Sequence, residues 1–187
     1  MTRKLTLLTI LLVSLAAAGR AQTLEREPGY VPIQELGLFP QDKLEVEIDI
    51  EGPALRLIAA AAKDDPGFAS VMAGLKAIQV QVFPMKGADA AAVKTRIGRA
   101  VHWLEGRGWK SMVRVRDQGQ ETYIYLKQTG DRIEGMTLLS LDPRDEAVVI
   151  NIVGRVDPAQ IGQLAQKLNV PQLKKIPTRG SSARKPE

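Results

Sequence analysis

The sequence predicts an α+β fold, in which a mainly antiparallel sheet carries helices packed on one face. Four segments that read as β-strands follow one another between residues 109 and 156, separated by short turns. The helical segments lie outside this run, and neighbouring strands joined by short turns pair antiparallel. The predicted order of elements is β-α-(α)-β-α-β-β-β-β-α.

The first half of the chain predicts two strands separated by helices. Leu44–Ile50 alternates apolar and acidic residues, which indicates a strand with one buried face. Pro53 begins an alanine-rich helix that extends to about Lys63, and Asp65 is placed to cap a second short helix. Leu75–Phe83 alternates again and predicts the second strand.

The longest predicted helix begins at Asp89 and ends near Arg107. Its apolar residues recur at helical spacing and form one stripe, which consists of Val93, Ile97, Ala100, Val101 and Leu104. His102 is the only histidine of the chain and points almost opposite this stripe, so we expect it to be solvated.

The second half predicts four strands and a final helix. The strands are Trp109–Arg116, Glu121–Gln128, Arg132–Leu141 and Ala147–Val156. A last helix is expected from Asp157 to about Leu168, because Asp157 can cap it and a proline occupies its first position.

Both ends of the chain differ from this domain. Arg3 and Lys4 precede an uncharged, mostly apolar run, and small residues at positions 19 and 21 complete the pattern of a secretory signal peptide. We therefore expect residues 1–21 to be removed and the mature protein to be periplasmic or secreted. Residues 22–42 are rich in Pro and Gly and predict an extended lead-in. Residues 43–170 form the single predicted domain, and residues 171–187 a basic, disordered tail.

The net charge of +5 does not indicate a nucleic-acid partner, because the basic residues concentrate at the two ends. Between Gln22 and Val170 the chain carries 18 basic and 20 acidic residues. The tail could make weak contact with anionic lipid headgroups or serve as a solubilising end. The absence of cysteine excludes disulfides and lipid attachment at a cleavage-site cysteine.

Several of the predicted strands resemble the DUF4252 domain, a family of exported proteins and lipoproteins of Gram-negative bacteria. The residues that carry it are Trp109–Arg114, Thr122–Lys127, Arg132–Leu139 and Val148–Asp157. The resemblance covers roughly residues 40 to 170, and its most specific segment is Ile150–Asp157. It implies export and a strand-rich second half. It implies no reaction, because no activity is established for the family.

No motif in the sequence predicts catalysis, a metal or a cofactor. A catalytic triad would have to use the outward-pointing His102, and the acidic clusters lack the spacing of a calcium loop. We therefore expect no enzymatic activity, no catalytic or metal-binding residues and no cofactor.

The candidate binding residues come from pairing the predicted strands. Hairpin geometry sets Arg116 opposite Glu121, Arg114 opposite Tyr123, Met112 opposite Tyr125 and Lys110 opposite Lys127. The next turn sets Lys127 opposite Glu134, Tyr125 opposite Met136 and Tyr123 opposite Leu138. One face would then mix aromatic, methionine and cationic residues, the composition enriched at interfaces: Arg114, Arg116, Tyr123, Tyr125, Lys127, Met136 and Leu138. The opposite, core-facing side would hold Val113, Val115, Ile124, Leu126, Ile133, Thr137 and Leu139.

Three interpretations of the tyrosine-bearing face remain open at the level of sequence. It could be a binding surface, a solvated sheet face, or a face covered by residues 22–42. Our leading hypothesis is a non-enzymatic periplasmic module that binds another envelope protein through this open face. The alternative is a small-ligand or lipid carrier with an apolar pocket between helices and sheet.

Overall fold

The computed structural model describes residues 24–62 and 64–155 of the chain. The predicted signal peptide (1–21), the predicted final helix (157–168) and the predicted basic tail (171–187) lie outside the described residues.

The described strands form one six-stranded sheet in the order β1-β2-β6-β5-β4-β3, and every neighbouring pair is antiparallel. This confirms the predicted α+β class and its antiparallel sheet. The strands are β1 (Val46–Glu51), β2 (Leu75–Pro84), β3 (Lys110–Asp117), β4 (Gln120–Thr129), β5 (Arg132–Leu141) and β6 (Glu146–Gly154).

The described residues also form three α-helices: α1 (Gly52–Ala61), α2 (Pro66–Gly74) and α3 (Ala90–Gly106). Asp65 caps α2 by accepting a hydrogen bond from the backbone N–H of Phe68 at 3.0 Å. Asp89 caps α3 in the same way. The cap of α2 and the start of α3 are where the sequence predicts them.

The helices divide between the two faces of the sheet, which corrects the prediction that they all pack on one face. The stripe of α3 packs in one core with Phe83, Tyr125, Leu139 and Val149, and we call this side the α3 face. Helices α1 and α2 pack in a second core on the opposite face. Both faces of the central strands are apolar, as expected for a sheet that is buried on two sides.

The lead-in is part of the α3-face core. Four of its apolar side chains are buried there, Val31, Ile33, Leu38 and Phe39. Its backbone is held by the buried Asn151 of β6, whose Oδ1 accepts from the N–H of Val31 and whose Nδ2 donates to the carbonyl of Gly29, both at 3.0 Å. These bonds satisfy backbone groups of an irregular segment that would otherwise be buried without partners.

The β3–β4 register agrees with the prediction near the hairpin and departs from it further along. Arg114 pairs with Tyr123 and Arg116 with Glu121, as predicted. Met112 is an extra residue in β3, so Ser111 pairs with Tyr125 and Lys110 with Leu126. The predicted pairs of Met112 with Tyr125 and of Lys110 with Lys127 are therefore wrong.

A second irregularity reverses the predicted faces of β5. The pairing skips Glu134, so Tyr125 pairs with Thr137 and Tyr123 with Leu139. The predicted pairs of Tyr125 with Met136, Tyr123 with Leu138 and Lys127 with Glu134 are wrong, because a shift of one residue moves every side chain to the other face. Thr137 and Leu139 thus share the tyrosine-bearing face, while Met136 and Leu138 belong to the opposite core.

Candidate functional site

The tyrosines of the predicted binding face are buried. Tyr125 has 0% and Tyr123 has 5% of its surface exposed, and both pack in the core that contains α3 and the lead-in. This corrects the prediction of an open sheet face at these positions. Of the three interpretations drawn from sequence, the covered face is the one that describes the tyrosines.

The two arginines remain at the surface, and the tyrosine hydroxyls hold them there. An Arg114 N–H donates to the hydroxyl of Tyr125 at 3.1 Å, and that hydroxyl donates to Oε1 of Glu105 at 2.7 Å. The same guanidinium also contacts Oε1 of Glu105 directly at 3.0 Å, and its side chain is still 45% exposed. The Arg114 cluster therefore joins β3, β4 and the end of α3.

A second cluster of the same kind surrounds Arg116. Its guanidinium donates to the hydroxyl of Tyr123 at 3.2 Å, and that hydroxyl donates to Oε2 of Glu121 at 2.6 Å. The other oxygen of Glu121 forms an ion pair with Lys94 of α3 at 2.5 Å. Arg116 has no carboxylate contact of its own among the described residues, and both the hydroxyl and the ring of Tyr123 position it, with the guanidinium carbon 5.9 Å from the ring centroid.

The hydrogen bonds of the two clusters favour the charged form of both arginines and, in the Arg114 cluster, the protonated form of the Tyr125 hydroxyl. The hydrogen bond to Tyr125 raises the pKa of Arg114, and the bond to Tyr123 raises the pKa of Arg116. Burial raises the pKa of Tyr125, and its hydrogen bond to Glu105 raises it further. At neutral pH the Tyr125 hydroxyl therefore donates to Glu105 and accepts from Arg114.

Glu121 titrates below its ordinary range. Burial alone would raise the pKa of this carboxyl group, but hydrogen bonds from Lys94 and Tyr123 outweigh burial and lower the pKa. The carboxylate stays ionised and forms its ion pair with Lys94, and its charge also acts on Arg116, which it does not contact directly.

Lys127 makes a different contact from the two arginines. Its ammonium donates to the backbone carbonyl of Arg107 at 2.5 Å, just after the end of α3. A cation at that position satisfies an otherwise unpaired carbonyl group. Lys127 thus has a structural contact at the end of α3, and its place in the predicted binding set stays a prediction.

Sequence reasoning left three members of these clusters out of the binding set, Glu105, Lys94 and Glu121. Glu105 and Lys94 lie on α3, and no spacing along the sequence shows how a helix lies over a sheet. Glu121 could have been found, since the correctly predicted hairpin register already sets it opposite Arg116.

The outer side of β3 carries no strand among the described residues, since β3 pairs only with β4. Along this edge Met112 is 44% and Val115 is 50% exposed, beside the two arginine side chains. We call this set the β3 edge: Met112, Arg114, Val115 and Arg116. An edge strand can add an extended chain by backbone hydrogen bonds, and the arginines favour carboxylates on it.

The described residues offer little to other kinds of site. They contain no group of three or more His, Cys, Asp or Glu that could hold a metal ion. His102 is exposed, as predicted, in a depression of about 620 Å³ on the outer side of α3 that opens to solvent. Within the described ranges no helix is long and apolar enough to cross a membrane.

A comparison with protein families relates the chain to a domain of unknown function. The model of a domain of unknown function, DUF4252, matches residues 41–164. No curated protein matches the chain. The matched range includes Asn151 and the whole sheet but begins after the buried part of the lead-in that Asn151 holds.

Proposed function

The chain belongs to the DUF4252 family, and from that premise we propose that it is an exported, non-enzymatic module whose β3 edge binds an acidic, extended segment of a partner protein. The family supplies no reaction, so the proposal depends on the chemistry of the edge. Export is part of the proposal and is supported by the leader-like sequence of residues 1–21.

The observation that carries the proposal is the way in which Arg114 and Arg116 are held. Each guanidinium is fixed by the hydroxyl of a buried tyrosine, so its position is set before any partner arrives. Arg116 has no carboxylate of its own among the described residues, and Arg114 shares Glu105 with Tyr125. Both cations therefore retain donors for a further carboxylate.

The backbone of β3 supports an extended partner. Its outer side is free of other described strands, and a partner strand placed there would continue the sheet. The exposed side chains of Met112 and Val115 would then be covered by alternate apolar residues of that strand. An acidic segment with alternating β-branched residues fits both properties.

Site-specific crosslinking tests this proposal. A photoreactive amino acid in place of Val115 should yield a discrete adduct in the cell envelope, whose crosslinked peptide is rich in Asp and Glu. The double variant Arg114→Glu/Arg116→Glu should abolish the adduct. The matched control Arg56→Glu/Lys86→Glu reverses two exposed cations elsewhere and should leave it unchanged.

A purified probe makes the test quantitative. A labelled peptide of four Glu-Val repeats should bind the wild type and lose at least about tenfold in affinity with the Arg114/Arg116 reversal. A peptide of four Lys-Val repeats should not bind. Equal binding of both peptides, or an adduct that survives the reversal, would overturn the proposal.

A further inference from the structure

The opposite edge of the sheet carries the complementary charge. Strand β1 pairs only with β2 among the described strands, so its outer side is also open. Its apolar Val46 and Ile48 are each 38% exposed and lie on the face away from α3. Its acidic residues alternate with them and lie on the α3 face, opposite Gln81, Gln79 and Ala77 of β2: they are Glu47, Asp49 and Glu51.

At both edges the charged residues lie on the α3 face of the sheet, and the exposed apolar residues lie on the opposite face. Arg114 and Arg116 lie on the α3 face, because they pair with Tyr123 and Glu121. Val115 pairs with Thr122 and lies on the opposite face, as Val46 and Ile48 do at the other edge. If the sheet continued from β3 of one copy into β1 of another, the arginines of β3 would lie beside the carboxylates of β1. The apolar residues of the two strands would lie beside each other on the opposite face.

The direction of the strands permits this continuation. Five successive antiparallel pairings make β1 and β3 run in opposite directions. A second copy that is displaced along the sheet without being turned over therefore sets its β1 antiparallel to β3. Its two faces then continue those of the first copy.

We propose that the acidic partner of the β3 edge is β1 of a second copy of this chain, so that the protein assembles head to tail through its sheet. This inference rests on the proposed function, because it names the partner of the same edge. A head-to-tail contact leaves one free edge of each kind, and further copies can add to it.

Charge complementarity does not depend on one exact register. Registers that keep the faces continuous differ by two residues, since side chains alternate along a strand. Acidic residues occupy every second position of this part of the chain: Glu45, Glu47, Asp49 and Glu51. Each register that aligns the middle of the two strands therefore sets Arg114 and Arg116 opposite two successive acidic residues. One of them pairs Arg114 with Asp49, Arg116 with Glu47 and Val115 with Ile48.

The same charges disfavour symmetric dimers. Two β1 edges would bring carboxylates together, and two β3 edges would bring arginines together, so like edges repel. Charged edges ordinarily protect a sheet from pairing with other sheets. Here the signs differ between the edges, which leaves the β1–β3 combination attractive.

Charge exchange between two variants tests the inference in solution. Sedimentation velocity of the purified chain should show association that rises with concentration and weakens with salt. Arg114→Glu/Arg116→Glu alone and Glu47→Lys/Asp49→Lys alone should each shift the association midpoint by at least about tenfold in concentration. An equimolar mixture of the two variants should restore association, because each now offers the edge that the other lacks.

Cysteine trapping identifies the edges in contact. The chain has no cysteine, so Ile48→Cys and Val115→Cys each introduce a single thiol. Under mild oxidation the mixture of these two variants should yield a disulfide-linked dimer, and neither variant alone should do so. Circular dichroism of every variant checks that the fold persists.

The outcomes separate the inference from the proposed function. A chain that stays monomeric at all concentrations and traps no mixed dimer, yet binds the Glu-Val peptide, overturns self-assembly alone. Dimers of Val115→Cys with itself would also overturn it, since they indicate symmetric pairing. If the wild-type chain does not bind the Glu-Val peptide and the two cysteine variants form no mixed dimer, both the inference and the proposed function are wrong.

Discussion

Gly29 of the lead-in passes directly over Gly135 of β5. A Cβ atom built on Gly135 would lie 2.5 Å from the Cα of Gly29, closer than any real side chain allows. The two backbones can approach in this way only because both residues lack a Cβ. The crossing lies beside Asn151, which binds the carbonyl of Gly29, so one small region fixes the lead-in on the sheet.

We expect Gly135→Ala to destabilise the protein by about 1–3 kcal/mol, the usual cost of forcing an extra methyl group into a packed site. The added Cβ must displace the lead-in, because the facing atoms are backbone and cannot rotate away. Urea unfolding followed by circular dichroism measures the change. Gly98→Ala is the matched control, since a Cβ there meets nothing within 4 Å on an exposed part of α3. It should stabilise the protein by up to about 1 kcal/mol, and equal losses in the two variants would contradict the crossing.

Asn151→Leu should release the lead-in locally before the sheet unfolds. The substitution leaves the N–H of Val31 and the carbonyl of Gly29 without their partner, at about 1–3 kcal/mol for each buried group. Hydrogen exchange at Val31 should accelerate at least about tenfold relative to amides in the centre of β6, and protease cleavage should become faster within residues 24–40.

Thr137→Val provides the control for Asn151. The Nδ2 of Asn151 has two hydrogens and three acceptors around it, namely Gly29, Met136 and Thr137. Loss of the threonine hydroxyl therefore leaves both hydrogens satisfied, and the exchange of Val31 should change little. A large acceleration in this variant would show that the lead-in depends on general packing and not on Asn151.

The sequence predicted the elements well because their signals are local. The strand predicted at Arg132–Leu141 has the bounds observed for β5, and Asp65 and Asp89 marked the starts of α2 and α3 correctly. In each of these cases one residue or one repeat determines the local backbone.

The failures concern contacts between distant parts of the chain. The predicted registers assumed that each residue of one strand pairs with one residue of the next, but Met112 and Glu134 are extra residues without a partner in the pairing. The extra residue at Glu134 reversed the predicted faces of β5. The docking of the lead-in depends on bonds between Val31 and Asn151, which are 120 residues apart. The lead-in has no periodic pattern that predicts this contact, so the position of the lead-in on the sheet could not be predicted from the sequence. The tyrosines were consequently predicted on an open face.

The two tyrosine hydroxyls should differ in their effect on binding at the β3 edge. Tyr123→Phe removes the sole described hydrogen bond of Arg116, whereas Tyr125→Phe leaves Arg114 in direct contact with Glu105. We expect Tyr123→Phe to weaken binding of the Glu-Val peptide by about threefold to tenfold, as loss of one hydrogen bond predicts, and Tyr125→Phe by less. Fluorescence anisotropy measures both affinities. A larger loss for Tyr125→Phe would contradict positioning by the hydroxyls.

The lowered pKa of Glu121 predicts how stability responds to acid. Its pKa in the folded protein lies below the ordinary value of 4.5, so the unfolded chain binds a proton first as the pH falls. The stability that this carboxylate contributes is complete above about pH 4.5 and is lost as the pH falls through its folded pKa. Glu121→Gln does not titrate and should flatten the dependence of the urea midpoint between about pH 5 and pH 3. Lys94→Met removes one of the two donors that lower the pKa, so its curve should lie between those of the wild type and Glu121→Gln. Curves of equal slope for all three proteins would show that acid acts on other carboxylates.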